Sequence, residues 1–363
     1  MMPMIVFTGG GTAGHVAPNI ALIKEFSHKG WEIAYIGSAQ GIEKQMIEPL
    51  KIPFYGVSSG KLRRYLSFKN LLDPFKILLG IAQSFFLLNK LKPDVIFSKG
   101  GFVAFPVVVG GWLKRIPVVA HESDMSPGLA NRLCFPFVNK ICLTFEAGKK
   151  HFKKQDKIEI TGTPIREQLF TGNSDHGLAL CGFNADKPCL LAIGGSLGAG
   201  SINRIIREAL PQLIKEYQVI HICGKGKLEP SLAAQTEYKQ FEYVNEELAH
   251  LFAAASVVVS RAGANSLYEI LALGKPHILI PLPAEVSRGD QIQNARYFQK
   301  LGISLVIDDR SLNADTLLQT LHELENNKED IRNKIDALDI KSATEHIVSI
   351  IEEQVHVQSA STV

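Results

Sequence analysis

The sequence predicts an α/β protein with two domains, each built on a parallel β-sheet flanked by helices. Short apolar runs alternate with amphipathic stretches along the chain, which is the pattern of strands and helices in such a sheet. The alternation restarts after a polar stretch at residues 171–187. The 363 residues are too many for one ordinary core and fit about two domains.

In the first half, six apolar runs predict strands, and two longer amphipathic stretches predict helices. The strands are MIVFTG, WEIAYIG, DVIFSKG, PVVAHE, KICLTF and KIEITG, and the helices are NIALIKEFSHKG and PFKILLGIAQSFFLLNKLK. The second half begins with CLLAIGG and continues with QVIHICG, SVVVSRAG, HILIPLP and SLVIDD as strands. We expect an N-terminal domain at 1–161, a second domain at 162–340, and at 341–363 a helix that packs back on the first domain, followed by a tail.

Composition excludes several classes of protein. A formal net charge of +3 gives no reason to expect a nucleic-acid partner. The five cysteines have no CxxC spacing, so we expect buried thiols of a reduced compartment and neither disulfides nor a zinc site. The N-terminus does not read as a signal peptide, and the longest uncharged stretches fall short of the ~20 apolar residues that a spanning helix needs.

Three glycine loops follow predicted strands: TGGGTAGH at 8–15, SKGGF at 98–102 and GGSLGAG at 194–200. Glycines allow the backbone to approach a phosphate closely, and a helix N-terminus offers unpaired N–H groups. The first loop lacks the Lys-Ser/Thr ending of a P-loop, and WEIAYIGS lacks the acid of a dinucleotide fold. A tight turn without a ligand remains possible for one loop, but three loops favour a diphosphate site at the carboxyl ends of the strands.

Polar residues follow two later strands in the same way. Glu269 lies early in the helix after SRAGANSLYE, where it either stabilises the helix dipole or accepts ribose hydroxyls. Gln291 and Asn294, after PLP, are spaced to share one helix face and to bind sugar hydroxyls.

Taken together, these segments resemble the MurG family of peptidoglycan glycosyltransferases nearly end to end. The matching segments are TGGGTAGHVAPN, SSGKLRRY, KPDVIFSKGGFVAFPVV, IPVVAHESDMSPGLAN, GTPIRE, GGSLGAGSIN, SRAGANSLYEI and RGDQIQNA. The resemblance implies two facing Rossmann-like domains (the GT-B fold), the first for a lipid acceptor and the second for UDP-N-acetylglucosamine (UDP-GlcNAc). It implies inverting transfer of N-acetylglucosamine to the C4 hydroxyl of the muramoyl sugar of undecaprenyl-diphospho-muramoylpentapeptide, which converts lipid I to lipid II. The enzyme would be a peripheral protein of the cytoplasmic membrane face, with other cell-wall and division proteins as candidate partners.

The resemblance also implies roles for individual residues. Ser196 matches a diphosphate contact, Glu269 a ribose contact and Gln291 a sugar contact, and Val244 lies where a backbone group meets the uracil ring. The full set of expected substrate-binding residues is Thr12, Ala13, Gly14, Asp124, Arg166, Ser196, Val244, Gly263, Ala264, Asn265, Ser266, Glu269, Gln291 and Asn294.

Two places depart from the family pattern. HESD replaces the frequent HEQN, so Asp124 stands where an asparagine contacts the donor, and a carboxylate cannot donate a hydrogen bond. Lys99 and Phe102 occupy places where some relatives carry an uncharged residue and a tyrosine.

For catalysis we expect a general base that deprotonates the acceptor hydroxyl. His15 is the candidate, because a helix N-terminus should favour its neutral imidazole. Two alternatives stay open: His15 only positions the acceptor diphosphate, or Glu122 is the base. No DxD motif lies beside a donor loop, so we expect no metal ion and no cofactor, with helix N-termini and the Ser196 loop stabilising the leaving UDP.

A membrane contact is expected at Lys61, Arg63 and Arg64 and along the following apolar helix. Lys99 and Phe102 are expected to belong to the same group of membrane or acceptor contacts. The alternative is an ordinary helix that buries its apolar side chains in the core. Three other functions remain open: a UDP-GlcNAc epimerase, a glycosyltransferase acting on another lipid such as diacylglycerol, and a non-catalytic sugar-nucleotide-binding protein.

Overall fold

The chain folds as two compact units. The structure, a computed structural model, describes residues 2–60, 69–153, 155–195 and 198–361, with the backbone alone at 69–72 and 358–361. The first unit runs to Ile165 and resumes at Ser342, and the second is Arg166–Lys341. We expected these boundaries at 161/162 and 340/341.

Each unit contains one parallel sheet. The strands of the first unit are β1 (Met4–Thr8), β2 (Glu32–Gly37), β3 (Phe54–Gly56), β4 (Val95–Ser98), β5 (Val118–Glu122), β6 (Lys140–Leu143) and β7 (Ile158–Ile160). Those of the second are β8 (Cys189–Ile193), β9 (Gln218–Ile222), β10 (Tyr238–Phe241), β11 (Ala255–Ser260), β12 (His277–Leu279) and β13 (Leu305–Val306).

Helices connect these strands and cover both faces of each sheet. Before the second unit the chain contains α1 (Ala17–His28), α2 (Ile42–Ile47), α3 (Lys69–Leu91), α4 (Ala104–Leu113) and α5 (Leu129–Cys134). The later helices are α6 (Ser174–Cys181), α7 (Gly200–Glu216), α8 (Leu248–Ala254), α9 (Ala264–Ala272), α10 (Asp290–Lys300), α11 (Ala314–Asn326), α12 (Lys328–Asp336) and α13 (Thr344–Ser361).

The apolar strands are buried on both faces, as a sheet covered by two helix layers requires. On one face of the first sheet, Ile5 and Phe7 of β1 pack with Phe26 of α1 and Ile347 of α13. On the other face, Val6 packs in a cluster that includes α3 and α4 residues. The C-terminal helix α13 therefore completes the core of the first unit.

The order of the strands locates a ligand site in each sheet. The orders are β3-β2-β1-β4-β5-β6-β7 and β10-β9-β8-β11-β12-β13. In both, the direction of strand addition reverses beside the first strand of the unit, between β1 and β4 and between β8 and β11. Ligands of open α/β sheets bind at such a reversal, outside the carboxyl ends of the strands. The three glycine loops follow β1, β4 and β8, so each lies at one of these two points.

The polar stretch at 171–187 is more structured than its composition indicates. It contains the two-turn helix α6, whose first turn is capped by Asn173: its side-chain oxygen accepts from the N–H of His176 at 2.7 Å. Gly182 ends the helix at φ 72°, a left-handed conformation that glycine adopts without strain. All five cysteines are buried and free, which confirms the expectation of buried thiols.

Candidate functional site

In the first unit, the first two glycine loops are in direct backbone contact. The N–H of Gly10 donates to the carbonyl of Gly100 at 3.1 Å. A Cβ on Gly101 would lie 2.2 Å from the Gly10 oxygen, and Gly101 has φ +86°. Only glycine fits there without strain, because any side chain would separate the loops or force an unfavourable backbone. The two loops therefore form one surface at the reversal point.

A buried carboxylate, Glu43, stabilises the first loop through hydrogen bonds to the backbone. Its side chain accepts from the N–H of Gly11 at 3.1 Å and from the N–H of Ser38 at 2.9 Å. Tyr35 donates its hydroxyl to the Gly9 carbonyl at 2.8 Å. Burial raises the pKa of Tyr35, so it remains a donor. Glu43 lies in the short helix α2, which carries no motif that would predict this role from the sequence.

His15 lies half-buried at the end of the first loop, in a short 3₁₀ helix (Ala13–His15). Its Nδ1 is 3.1 Å from the carbonyl oxygen of Gly10 and 3.2 Å from Thr12 Oγ1. A carbonyl oxygen only accepts, so in the neutral ring Nδ1 carries the proton and Nε2 is the proton-accepting nitrogen. The loop thus fixes the tautomer that a general base needs. Thr12 and Gly14 of the same loop are exposed, and Ala13 is half-buried.

Glu122, the alternative candidate for the general base, accepts hydrogen bonds that stabilise the turn after β5. Its Oε1 accepts from the N–H of Asp124 at 3.0 Å. Its Oε2 accepts from the N–H of Gly128 and from the Asn131 side chain, both at 2.9 Å. The side chain is only 5% exposed. These contacts favour a structural role for Glu122 and leave His15 as the stronger candidate.

Lys99 in the second loop is buried, with 1% of its surface exposed. Its ammonium donates to Ser123 Oγ. Burial lowers the pKa of Lys99 to about 8, while the carboxylates of Glu122 and Asp124 oppose that shift. Lys99, expected among the membrane or acceptor contacts, therefore lies in the interior beside the second loop. Phe102, in the same loop, is half-buried.

In the second unit, Arg166 and Glu269 form an ion pair near the start of α9. Arg166 NH2 lies 3.3 Å from Glu269 Oε1. Burial raises the pKa of Glu269, and the Arg166 charge opposes this shift. Gly263 is the N-cap of α9 and Ala264 its first residue; Asn265 and Ser266 are half-buried in the first turn. The sequence had assigned all six residues to the donor, and the structure places them on one segment or against it.

The two polar residues of α10 have different environments. Gln291 Oε1 accepts from the N–H of Leu282 at 3.1 Å, and its Nε2 approaches the position of a Cβ on Gly263 to 3.9 Å. Gln291 therefore lies beside the start of α9, and its expected contact with the donor sugar stays a prediction. Asn294 is fully buried and donates to the Ala262 carbonyl at 3.1 Å, so it supports the loop before α9. Its expected contact with the sugar stays a prediction.

A partly buried network of polar side chains lies near this segment and has no motif that predicts it from the sequence. Arg261 NH1 lies 2.6 Å from Asp309 Oδ1, which also accepts from Ser201 Oγ at 2.6 Å. Arg261 NH2 donates to the same hydroxyl at 2.7 Å. The network ties the end of β11 to the start of α7 and to the turn after β13. A lone arginine among the small residues of SRAGAN is the one signal of this network in the sequence.

For several residues that the sequence predicts to bind a substrate or the membrane, the structure gives little or no information about the site. Val244, expected to present a backbone group to the uracil, is 8% exposed. Ser196, Lys61, Arg63 and Arg64 lie outside the described residues. Across the parts of the chain that the structure describes, no three His, Cys, Asp or Glu side chains converge as metal ligands do.

Helix α3 and the end of α4 expose a group of large apolar side chains in the first unit. The exposed fraction is 69% for Phe75, 71% for Phe86 and 51% for Trp112. Lys76 lies on the same helix with half of its side chain exposed, and Lys114 packs over the Phe85 ring at 4.4 Å. The face therefore combines apolar groups with cations. Within the described residues, no helix has the length and apolar character needed to cross a bilayer.

The chain matches two family models. Residues 5–143 match the glycosyltransferase family 28 N-terminal domain, and residues 189–351 match the glycosyltransferase family 28 C-terminal domain. The matched ranges include all three glycine loops.

Full-length relatives share a single descriptive name. A Legionella pneumophila (strain Lens) protein is 75% identical over 359 residues, covering 99% of both chains. A Clostridium tetani protein is 49% identical, covering 97% of this chain and 98% of its own. Both are named UDP-N-acetylglucosamine–N-acetylmuramyl-(pentapeptide) pyrophosphoryl-undecaprenol N-acetylglucosamine transferase. The crystal structure of Acinetobacter baumannii MurG is similar at a TM-score of 0.76 and 26% identity, covering 97% of this chain and 99% of that one.

Proposed function

Because this chain belongs to glycosyltransferase family 28, we propose that it transfers N-acetylglucosamine from UDP-GlcNAc to undecaprenyl-pyrophosphoryl-N-acetylmuramyl-pentapeptide. The observation that carries the proposal is the 75% identity, over nearly the whole of both chains, to a relative named for this reaction. The reaction converts lipid I to lipid II in peptidoglycan synthesis.

The second unit binds the donor. Its site begins at the reversal point between β8 and β11, the paired strands that lead into the 194–200 loop and towards the start of α9. The amides of that loop and of the helix N-terminus suit a pyrophosphate. We assign the two ribose hydroxyls to Glu269, whose carboxylate has its pKa raised by burial while the neighbouring Arg166 charge opposes that rise. Gln291 reaches the same segment and is assigned to the sugar.

The first unit binds the acceptor at the joined loops after β1 and β4. In the transfer, the C4 oxygen of the muramoyl sugar bonds to the anomeric carbon of N-acetylglucosamine, and the bond from that carbon to the UDP oxygen breaks. The hydroxyl proton passes to Nε2 of His15, whose Nδ1–H remains bonded to the Gly10 carbonyl. Attack from the side opposite the leaving group inverts the anomeric configuration.

The leaving UDP gains negative charge as the bond breaks. We assign its stabilisation to backbone amides of the 194–200 loop and to the N-terminus of α7, with Ser196 as a hydroxyl donor and no metal ion or cofactor. Preorganised donors of this kind stabilise charge that develops in the transition state.

The proposal is tested with labelled UDP-GlcNAc and lipid-linked muramoylpentapeptide, scored for a disaccharide-lipid product. We expect the product to form at an unchanged rate when EDTA is present. An EDTA-treated enzyme that regains activity only with Mg²⁺ would contradict metal independence and leave the transfer itself standing. Conversion of the donor without an acceptor would instead indicate an epimerase, and labelled diacylglycerol would indicate the other lipid acceptor. Donor binding without turnover would indicate a non-catalytic protein.

A lipid-linked acceptor requires the enzyme to reach a membrane surface. We assign the contact to the exposed face of α3 and α4, with Phe75, Phe86 and Trp112 entering the interface and Lys76 and Lys114 beside anionic headgroups. On this basis the protein is peripheral to the cytoplasmic face of the membrane, where other cell-wall and division proteins are candidate partners. Lys61, Arg63 and Arg64 precede this face in the sequence and are expected to extend its positive charge.

Replacing Phe75 and Phe86 together by serine should weaken binding to vesicles containing anionic phospholipid by at least about 10-fold, because two large apolar side chains no longer enter the interface. Vesicle sedimentation measures the effect. Turnover of a water-soluble acceptor analogue should stay near the unsubstituted value. The matched control is Phe170→Ser, since Phe170 is also exposed but belongs to the second unit. Equal vesicle binding by both variants would contradict the assignment.

A further inference from the structure

The carbonyl that binds His15 and the N–H that binds Glu43 belong to one peptide group. His15 Nδ1 lies 3.1 Å from the carbonyl oxygen of Gly10. Glu43 Oε2 accepts from the N–H of Gly11, also at 3.1 Å. The peptide between these two glycines is trans, so its carbonyl and its N–H point in opposite directions. Glu43 and His15 are therefore bonded to the two ends of the same planar group.

Three glycines leave the space that the Glu43 side chain occupies, and this side chain is fully buried. A Cβ on Gly41, the N-cap of α2, would lie 2.2 Å from Glu43 Oε1. A Cβ on Gly10 would lie 2.4 Å from its Cδ, and one on Gly37, at the end of β2, 2.8 Å from its Cγ. Gly41 has φ −82°, which any residue adopts, so the carboxylate itself is what requires glycine there. The fold thus makes room for this carboxylate directly against the first loop.

Ser38 holds the other oxygen of the Glu43 carboxylate. Glu43 Oε1 accepts from the N–H of Ser38 at 2.9 Å and from its hydroxyl. Because Oε1 is bonded on the Ser38 side, Oε2 is directed at the N–H of Gly11. A buried carboxylate is unfavourable unless hydrogen bonds replace its lost hydration. The bond to the Gly11 N–H is therefore one that Glu43 would lose only at a considerable cost in free energy.

A peptide between two glycines can reverse its orientation with little strain, because neither residue has a side chain that restricts the backbone. Gly11 already has φ +84°. In the reversed orientation the Gly10 carbonyl would face the carboxylate oxygens of Glu43, which is repulsive because both groups are acceptors. At the other end of the peptide, the Gly11 N–H would face His15 Nδ1. Glu43 therefore stabilises the orientation that the structure shows.

The orientation of this peptide determines which imidazole nitrogen of His15 is basic. In the structure the Gly10 carbonyl accepts from Nδ1–H, so Nε2 accepts protons in the neutral ring. After reversal, an N–H facing Nδ1 would favour the tautomer with the proton on Nε2. Thr12 Oγ1, 3.2 Å from Nδ1, can donate or accept and does not fix the tautomer.

We propose that Glu43 is a positioning residue for His15: it orients the Gly10–Gly11 peptide and thereby keeps Nε2 as the proton-accepting nitrogen. Glu43 itself is buried behind the loop and acts only through this peptide. Hydrogen bonds in such a chain also polarise one another, so the carboxylate strengthens the bond from Nδ1–H to the Gly10 carbonyl. The catalytic part of this inference rests on the proposed function, in which His15 is the general base.

Replacing Glu43 by leucine removes both acceptor oxygens and fills a similar volume. The peptide should then lose its preferred orientation, and neutral His15 should shift towards the Nε2–H tautomer and lose its fixed ring position. We expect kcat to fall by about 10-fold or more, with the KM for UDP-GlcNAc within about twofold of normal. Glu43→Gln should lie between the two proteins, because its amide oxygen can accept from Gly11 while its NH₂ donates to the Ser38 hydroxyl.

Nitrogen NMR of protein labelled at histidine measures the tautomer directly and needs no substrate. Spectra are recorded where the imidazole is neutral, and the spectrum of His15→Ala identifies the His15 signals. We expect Nδ1–H in the unsubstituted protein, mainly Nε2–H in Glu43→Leu and an intermediate ratio in Glu43→Gln. Glu32→Gln is the matched control and should leave the signals unchanged, since Glu32 is exposed at the opposite end of β2. Unchanged His15 signals in a folded Glu43→Leu protein would overturn the proposal.

Steady-state kinetics test whether Glu43 acts through His15. Adding Glu43→Leu to His15→Ala should change kcat by less than about twofold, because the group that Glu43 positions is already absent. If the two substitutions instead multiply their separate losses of kcat, Glu43 does not act through His15 and the proposal fails.

Thermal unfolding shows whether Glu43→Leu folds. If it does not, Gly41→Ala decides, because a methyl group there displaces the carboxylate without altering the loop. A shift of His15 towards Nε2–H in Gly41→Ala supports the proposal, and unchanged signals overturn it. If the unsubstituted protein transfers no sugar, the proposed function fails by itself, and the tautomers still decide whether Glu43 orients the peptide.

Discussion

Replacing His15 by alanine should lower kcat by about 100-fold or more and leave the KM for UDP-GlcNAc within about twofold of normal. General-base catalysis contributes about 10²–10⁴ in rate, and the donor lies in the second unit under the proposed assignment. The tautomer supports this prediction, because the Gly10 carbonyl holds the proton on Nδ1 and makes Nε2 the basic nitrogen. Steady-state kinetics with the lipid acceptor measure both constants.

The competing role for His15 is positioning of the acceptor pyrophosphate. Asn at this position keeps a side-chain donor for the Gly10 carbonyl but has no basic nitrogen. If His15 is the base, His15→Asn should be as slow as His15→Ala, and both should lose the acid limb of the kcat–pH profile. Substantial rescue by asparagine would instead favour positioning. His28→Ala is the matched control, since His28 is exposed in the last turn of α1.

The sequence contained enough information for the fold and the family. Buried runs such as MIVFT and CLLAI are apolar without alternation, which is typical of strands covered on both faces, and the glycine loops that follow them fall at the strand-order reversals. The family matches confirm the assignment that these motifs predicted. The edge strands β3 and β10 were not indicated, because they are three and four residues long and only partly buried.

The parts of the candidate site that consist of backbone loops could be predicted from the sequence. The side chains whose positions depend on packing were harder to predict. Gly101 belongs to a loop that its glycines make visible in the sequence. The tight contact of this loop with the first glycine loop excludes every other residue at position 101. The burial of Lys99 and Asn294 could not be read from the sequence, because both are polar residues whose exposure depends on strands far away along the chain. The ion pair of Asp309 with Arg261 could not be predicted for the same reason, because the two residues are 48 positions apart in the sequence. Contacts between residues that are distant in the sequence determine the burial and the partners of such side chains, and the local sequence pattern does not encode these contacts.

Replacing Glu269 by alanine should raise the KM for UDP-GlcNAc by about 100-fold, equivalent to about 2.7 kcal/mol. Hydrogen bonds to a charged group contribute about 1.5–3 kcal/mol each, and the variant would also leave the half-buried Arg166 without its carboxylate. The kcat at saturating donor should fall much less, because the ribose lies away from the bond that breaks. Isothermal titration with UDP checks the binding loss without turnover.

A loss of affinity alone does not prove that Glu269 binds the ribose, since removal of the Arg166 pair could disturb the segment. The decisive measurement is discrimination between UDP and 2′-deoxy-UDP. The unsubstituted protein should bind UDP more tightly by about 10-fold, the effect of one hydrogen bond to a carboxylate, and Glu269→Ala should bind both equally. Glu329→Ala is the matched control, an exposed glutamate in the first turn of α12. If Glu269→Ala keeps the preference for UDP, another group binds the ribose, and the carboxylate serves only to hold Arg166 and the start of α9.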